Sequence, residues 1–214
     1  MVRRHSGNYA KAVGVNGKRA AVLDLRSTDP EEWENDVRPP LKNYADITVY
    51  EMHHRDFSLD SVSGIQNKGK FLALTEQGTT SSSGEKTGID HLKELGITHV
   101  HLLPSYDYAS VDETKLDKAQ YNWGYDPQNY NVPDGSYSTD PYKPDVRIRN
   151  SNKWYKLYIR RESEWCLMWC IITPSIQTKA ISNVRFPVIS IARRRTGNGQ
   201  MVRDVEMKRQ ATAP

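Results

Sequence analysis

The sequence has little of what secreted or membrane-embedded proteins need. Two of its 214 residues are cysteine, too few for a disulfide framework. It contains no apolar run long enough to cross a bilayer, and its first residues lack a signal-peptide pattern. Hydrophobic residues make up 37% of the chain, and the mean hydropathy is −0.74. We therefore expect a water-soluble, cytoplasmic protein with neither a membrane span nor a disulfide scaffold.

The charge is distributed unevenly, so the net value of +4 averages two unlike parts. Residues 150–214 hold 12 Lys and Arg against 4 Asp and Glu, which gives them a net charge of +8. The preceding residues carry a net charge of −4. Both cysteines also fall in the basic part. A break this sharp indicates a boundary near residue 150.

Hydrophobic patterns in the acidic part predict a parallel α/β arrangement. Residues 46–52 and 97–104 are rich in β-branched and aromatic residues on both faces, as strands buried in a parallel sheet are. Residues 87–95 have helical apolar spacing and end before Gly96. The order strand, helix, strand is that of a βαβ unit. Residues 20–25, which follow an Asn-Gly turn signal, are predicted as a further strand.

A polar segment at 121–142 is unusually rich in aromatic side chains. Flat apolar rings bordered by Asn and Asp suit a sugar, which has C–H groups on its faces and hydroxyls at its rim. An aromatic-rich loop that seals the edge of a core explains the composition equally well. The segment contains Trp123 and five tyrosines: Tyr121, Tyr125, Tyr130, Tyr137 and Tyr142.

Four ordered motifs carry a resemblance to a known family. They are VYEMHHRDF at 49–57, HVHLLP at 99–104, YNWGYDP at 121–127 and NYNVPDGSYSTD at 129–140, with YAKAVGVNG upstream at 9–17. Together they resemble type I pullulanases, debranching enzymes of the α-amylase superfamily (glycoside hydrolase family 13). The resemblance covers roughly residues 5–149. His54 departs from it, because an apolar residue is expected there.

The resemblance implies a fold and a division of the chain. Residues 1–44 would be the end of an N-terminal β-sandwich-type region with its linker. Residues 45–149 would begin a (β/α)8 TIM barrel, with its first two strands and the connecting helix. We expect residues 150–214 to be irregular and to form no native domain.

The resemblance also implies a substrate and a partial site. The parent enzyme would hydrolyse α-1,6-glucosidic linkages of pullulan, amylopectin or glycogen, and calcium is an option for that parent. Tyr125 would stack on a glucose ring, with Trp123, Asn122 and Asp126 as further substrate-binding candidates. The nucleophilic Asp and the acid Glu would lie on later strands, so no catalytic residue is assigned. Glu51 and Asp56 are expected to be structural partners of Arg55 or of loop backbone groups, and no cofactor is assigned.

The codons beyond Arg149 offer an explanation for the break. When each codon's last base is joined to the first two of the next, Trp165-Cys166, Met168-Trp169 and Trp169-Cys170 must each encode Val. The remaining choices permit a helix followed by Asp-Val-Val-Tyr-Asn-His, the continuation that the resemblance requires. We infer a one-base change of reading frame at about Arg149–Asn150.

Other interpretations of the tail have weaker support. Cys166 and Cys170 lack the further ligands of a zinc site. The basic clusters at 193–195 and 208–209 have the charge of a nucleic-acid-binding arm but are more typical of a solvated charge run. Two parallel strands alone would leave edges and faces uncovered, which predicts poor packing and aggregation. The alternatives to an inactive hydrolase fragment are a residual α-glucan-binding fragment and a fusion with a basic nucleic-acid-binding tail.

Overall fold

A parallel pair of strands joined through a helix forms the centre of the fold. In the computed structural model, which describes residues 9–33, 43–160 and 166–169, strand β1 (Val49–Met52) pairs in parallel with β2 (His99–Leu102). Helix α1 (Gly88–Glu94) lies between them along the chain. The predicted strand–helix–strand unit is therefore present, with each element shorter than expected.

Strand β1 differs from the prediction in its burial. The three-stranded sheet has the order β1, β2 and then β5 (Cys166–Trp169), so β1 has a strand on one side. Val49 keeps 46% of its surface exposed, and Glu51 is also exposed. The prediction that residues 46–52 are buried on both faces is wrong, because an apolar pattern does not reveal whether both flanking layers are present.

Helix α1 follows its apolar spacing. Ile89 and Leu92 are buried on its inner face, whereas Leu95 beyond its end is half exposed. The chain leaves the helix at Gly96, whose φ of +65° is the left-handed conformation that commonly ends helices.

Residues 20–25 do not form the predicted strand. Ala20 makes a single bridge with Val13, Val22 is fully exposed, and a 3-10 turn begins at Leu25. The side chain of Asp24 accepts a hydrogen bond from the Arg26 backbone N–H at 3.1 Å, which stabilises the turn. The segment is apolar at five of its six positions, but within the described ranges no neighbouring strand extends along it.

The segment beyond Arg149 is more regular than the sequence suggested. Helix α2 (Pro144–Arg160) continues without a break across Asn150, and strand β5 (Cys166–Trp169) pairs in parallel with β2. The prediction of an irregular tail is therefore wrong for these residues. The side chains of Cys166 and Cys170 and the basic clusters lie outside the part of the chain that the structure describes.

The inward face of α2 explains its continuation. Buried side chains recur three and four positions apart, and they mix polar with aromatic residues: Arg147, Ile148, Ser151, Trp154 and Tyr155. The ring of Trp154 lies 5.1 Å from that of His54, and the ring of Tyr155 lies 5.9 Å from that of Trp33. Residues on both sides of Arg149 thus contribute to one core.

The second sheet positions the aromatic segment. Strand β3 (Tyr106–Tyr108) begins shortly after the end of β2 and pairs antiparallel with β4 (Pro127–Pro133). The connection between β3 and β4 contains residues 121–126, which we call the aromatic loop. Across the described residues, neither α-helix has the length and apolarity required to span a bilayer.

Candidate functional site

The aromatic loop contacts the segments that follow the first two parallel strands. His53 comes directly after β1, and its Nε2 atom lies 2.9 Å from the carbonyl oxygen of Asn122. Pro104 lies two residues beyond β2 and contacts Gly124. The carboxyl ends of parallel strands are the usual location of ligand sites in α/β proteins.

Gly124 permits the close approach of the loop to Pro104. Its φ is +95°, a conformation that side chains disfavour. A Cβ atom at this position would overlap the carbonyl oxygen of Pro104. The glycine between Trp123 and Tyr125 is therefore required by both backbone angle and space.

The polar candidates Asn122 and Asp126 brace the loop from within. The Asn122 side-chain amide donates to the carboxylate of Asp126 and to the Ser110 hydroxyl, and its oxygen accepts from the Gly124 backbone N–H at 2.6 Å. Asp126 also accepts from the Ser110 backbone N–H at 2.9 Å. Both side chains thus fix the path of the backbone around Trp123.

The aromatic candidates point outward. Trp123 is 62% exposed and Tyr125 is 56% exposed. Tyr121 meets Trp123 edge to face, with ring centroids 5.5 Å apart. Exposed rings on a braced backbone form a surface suited to stacking against a flat ligand.

The five tyrosines of the segment do not share one role. Tyr121, Tyr125, Tyr130 and Tyr142 are exposed, whereas Tyr137 is buried at 2% exposure. The Tyr137 ring packs against Phe71 and Tyr108, with centroid distances of 5.4 and 5.8 Å. Tyr137 therefore seals the edge of the core, whereas the other four tyrosines lie on the surface.

Sequence reasoning missed His53 as part of this site. Its Nε2 atom also lies 3.0 Å from the hydroxyl of Tyr137, and its Nδ1 atom lies 3.6 Å from the Asp56 carboxylate. Burial lowers the pKa of His53, an effect that Asp56 partly opposes. The available signal was its position immediately after a predicted strand.

A buried charged cluster lies behind the loop. The carboxylates of Asp107, Glu113 and Asp134 have metal-ligand spacing, and all three are buried. Arg147, itself fully buried, supplies positive charge: its guanidinium lies 3.0 Å from Asp107 and 2.8 Å from Glu113. These are the residues that could hold a cation, but a guanidinium already pairs with two of them.

Burial also separates this cluster from any large substrate. Asp134 has 0% exposure, and burial together with the nearby Glu113 raises its pKa to about 7. Asp107 and Glu113 are exposed by 1% and 3%. A glucan chain has no access to these carboxyl groups, so the cluster supports the fold and does not act as a hydrolytic pair.

An Asn-Gly turn from the start of the described chain closes the cluster. The Asn16 backbone N–H donates to Glu113 at 2.7 Å, and Asn129 donates to the Gly17 carbonyl at 3.0 Å. A Cβ atom on Gly17 would overlap the Asp107 carboxylate. The turn is therefore inserted among the buried charges.

Two further acidic residues near the end of β1, Glu51 and Asp56, have ion-pair partners. Glu51 lies 3.0 Å from His101, and Asp56 lies between His53 and Arg55, 4.0 Å from the latter's guanidinium. The prediction that Asp56 pairs with Arg55 agrees with this geometry. Glu51 pairs instead with the neighbouring strand.

Comparisons with known proteins show that the chain is similar to pullulanases over part of its length. No protein-family model matches it. It is 47% identical over 139 residues to the pullulanase of Bacillus subtilis strain 168, covering 65% of this chain and 19% of that protein. It is 34% identical to the chloroplastic pullulanase 1 of Arabidopsis thaliana, covering 64% of this chain and 17% of the relative. The chain thus spans about a fifth of the length of these relatives.

Solved structures give the same result. A pullulanase from Paenibacillus barengoltzii, in complex with maltohexaose and α-cyclodextrin, superposes with a TM-score of 0.72 at 55% identity. The superposition covers 76% of this chain and 25% of the other. Since 76% of 214 residues is about 163, the superposed region extends beyond Arg149. Most of the chain therefore resembles one segment of pullulanases, as its motifs indicated.

Proposed function

We propose that this chain, which resembles pullulanases over most of its length, is a fragment of a debranching glycoside hydrolase that has the glucan-facing loop but lacks the catalytic carboxyl pair. The parent enzyme would act on α-1,6-glucosidic linkages of pullulan or branched starch. The main supporting observation is the exposure of Trp123 and Tyr125 on a loop braced beside the carboxyl ends of β1 and β2.

The strand order supports the start of a (β/α)8 barrel. Parallel strands β1, β2 and β5 occur in chain order, with α1 and α2 in the connections. Consecutive parallel strands separated by helices are the repeating unit of such barrels. We propose that residues 1–44 correspond to the region that precedes the barrel.

Glucan binding would use two kinds of residue. Trp123 and Tyr125 would stack on sugar rings, because their exposed faces are apolar and their backbone is held in place. Asn122 and Asp126 would act mainly by holding the loop, since their side chains already bond to each other and to Ser110. Stacking from one wall of a cleft predicts weak binding.

Hydrolysis would be absent from this chain. A retaining glycosidase needs two accessible carboxyl groups about 5–5.5 Å apart. In the described residues, Asp107, Glu113 and Asp134 are buried, and the first two of them pair with Arg147. The catalytic pair of the parent would belong to later strands.

A change of reading frame near Arg149 would explain why those strands are missing. The alternative reading frame also gives a helix followed by a strand, which is the order of α2 and β5 in this chain. The DNA sequence from codon 149 onward tests this proposal. An open frame encoding Asp-Val-Val-Tyr-Asn-His and then the catalytic Asp and Glu is expected.

Affinity electrophoresis in pullulan gels tests the binding function. We expect the chain to be retarded, and Trp123→Ala and Tyr125→Ala to weaken the retardation about tenfold, since stacking of a ring on a ligand contributes on the order of 1 kcal/mol or more. Tyr142→Ala is the matched control, because Tyr142 is 61% exposed but lies outside the aromatic loop.

Two outcomes would contradict this proposal. If the wild-type chain migrates equally far with and without pullulan in the gel, the proposed glucan binding is wrong. Release of maltotriose from pullulan by the purified chain would remove the proposed loss of catalysis.

A further inference from the structure

We infer that His53 is a positioning residue for the aromatic loop, a role that rests on the proposed glucan-binding function. It connects the end of β1 to the backbone carbonyl of Asn122, 69 residues further along the chain. That carbonyl directly precedes Trp123. The imidazole would therefore set where the Trp123 and Tyr125 rings stand.

The hydrogen bonds around His53 define which nitrogen carries the proton. A backbone carbonyl only accepts, so the proton shared with Asn122 belongs to Nε2 of His53. Tyr137 then accepts from the same Nε2–H, at 3.0 Å, and donates to the Tyr108 hydroxyl at 2.9 Å. Tyr108 in turn donates to the Pro104 carbonyl at 2.5 Å. From His53 to Pro104, each group therefore donates to the next one along, while the same His53 N–H also reaches Asn122.

Both ends of this hydrogen-bond chain contact the loop. At one end, the His53 ring holds Asn122, and at the other, the Pro104 carbonyl contacts Gly124. Asn122 and Gly124 flank Trp123 on either side. The chain from His53 to Pro104 thus spans the base of the loop and fixes the backbone before and after the tryptophan.

Burial makes this connection difficult to replace with solvent. His53, Tyr137 and Tyr108 are exposed by 7%, 2% and 4%. A buried donor or acceptor that loses its partner cannot turn to bulk water, so it favours a displaced loop instead. The loop surface is exposed, whereas its support is not.

Two amide substitutions separate the hydrogen bond from general packing. Gln at position 53 can place an N–H donor near the position of the imidazole Nε2, whereas the shorter Asn can reach only the position of Nδ1. We expect His53→Gln to bind maltotriose and pullulan within about twofold of wild type, and His53→Asn to bind about fivefold to tenfold more weakly, the range expected for one hydrogen bond. Circular dichroism and urea unfolding verify that both variants are folded.

A second measurement does not depend on glucan. Hydrogen–deuterium exchange of the peptide that spans residues 121–126 reports the opening of the loop backbone. In the absence of sugar, we expect faster exchange in His53→Asn than in wild type, with His53→Gln close to wild type. A peptide from α1 serves as the internal reference, because global destabilisation would accelerate exchange there as well.

The outcomes distinguish this role from the proposed function. If the wild type binds pullulan and His53→Asn binds equally well, the positioning role is wrong. If the wild type does not bind pullulan, glucan binding fails while exchange still decides whether His53 holds the loop. Equal loop exchange in wild type and His53→Asn overturns the inference, as does a Gln variant that behaves like the Asn variant in both assays.

Discussion

His54, the neighbour of His53, has a very different environment. It is 1% exposed and packs against Phe71 and Trp154, each with a ring-centroid distance of 5.1 Å. Neither ring nitrogen has a hydrogen-bond partner among the described residues. Burial lowers the pKa of His54 to about 3, and the adjacent His53 adds to this effect. The side chain therefore acts as a neutral aromatic residue where the family resemblance suggested an apolar one.

Replacing this imidazole should change how stability depends on pH. His54 is neutral in the folded state, whereas it binds a proton near pH 6.5 in the unfolded chain. The contribution of this neutral imidazole to the free energy of unfolding is complete above pH 6.5. It is lost as the pH falls from 6.5 toward 3. We expect the wild type to lose about 2 kcal/mol relative to His54→Phe between pH 6.5 and 5, at about 1.4 kcal/mol per pH unit.

Urea unfolding of both proteins at pH 7, 6 and 5 measures this difference. The buried Asp107 and Asp134, whose raised pKa values act in the opposite direction, are common to both proteins and cancel. A free-energy difference that stays constant with pH would show that His54 does not titrate on unfolding. The constant part of the difference reports packing and polar burial instead.

At the scale of elements, the attachment of the aromatic loop to the end of β2 depends on one glycine. Gly124→Ala should lower the free energy of unfolding by about 2–4 kcal/mol, since the variant meets both an unfavourable φ and the Pro104 carbonyl. Gly84→Ala is the matched control, with a φ of +89° and no atom within 4 Å of the added Cβ. It should cost only about 1–2 kcal/mol, the backbone part.

Urea unfolding of the two alanine variants checks this expectation. Equal losses for Gly84 and Gly124 would mean that the loop moves away from Pro104 at negligible cost. The close contact would then not define the position of Trp123.

Elements with strong local patterns were predictable from the sequence. The strand–helix–strand unit followed from apolar spacing and from Gly96, both of which act within a few residues. Helix α2 was not predicted from the sequence, because its buried face combines Arg147 and Ser151 with Trp154. Hydrophobic periodicity does not reveal polar residues that are buried through specific partners.

The candidate site was predictable only in part, for a similar reason. Trp123 and Tyr125 are candidates from composition and family motif, whereas His53 contacts Asn122, which lies 69 residues away. The pairing of Arg147 with Asp107 spans 40 residues and leaves no periodic signal. Contacts between distant residues have to be read from the fold.

At the scale of the whole molecule, residues beyond Arg149 complete the core. Trp154 is 2% exposed and packs against His54. Tyr155 is 8% exposed and packs against Trp33. A chain that ends at Arg149 should therefore be digested by protease at least about a hundredfold faster than the full chain. Loss of a buried Trp costs about 3–5 kcal/mol, and cleavage follows the population of open forms.

Limited proteolysis followed by mass spectrometry measures these rates. Trp154→Ala in the full chain is the control that separates core burial from the presence of the tail, and it should approach the truncated chain in sensitivity. Similar resistance of the full and truncated chains would mean that α2 adds nothing to the core beyond Arg149. Aggregation of the chain stays a prediction, and a sharp thermal transition of the pure chain would contradict it.

The contacts of the Asn16-Gly17 turn determine when this segment can fold during synthesis of the chain. Its partner Glu113 follows 97 residues later, and Arg147, which neutralises the carboxylates around it, follows later still. During translation, the turn emerges from the ribosome well before Glu113 and Arg147 do. The turn therefore makes its contacts with this cluster only after residues 113 and 147 have been synthesised, and it reaches its folded position late although it precedes them in the chain.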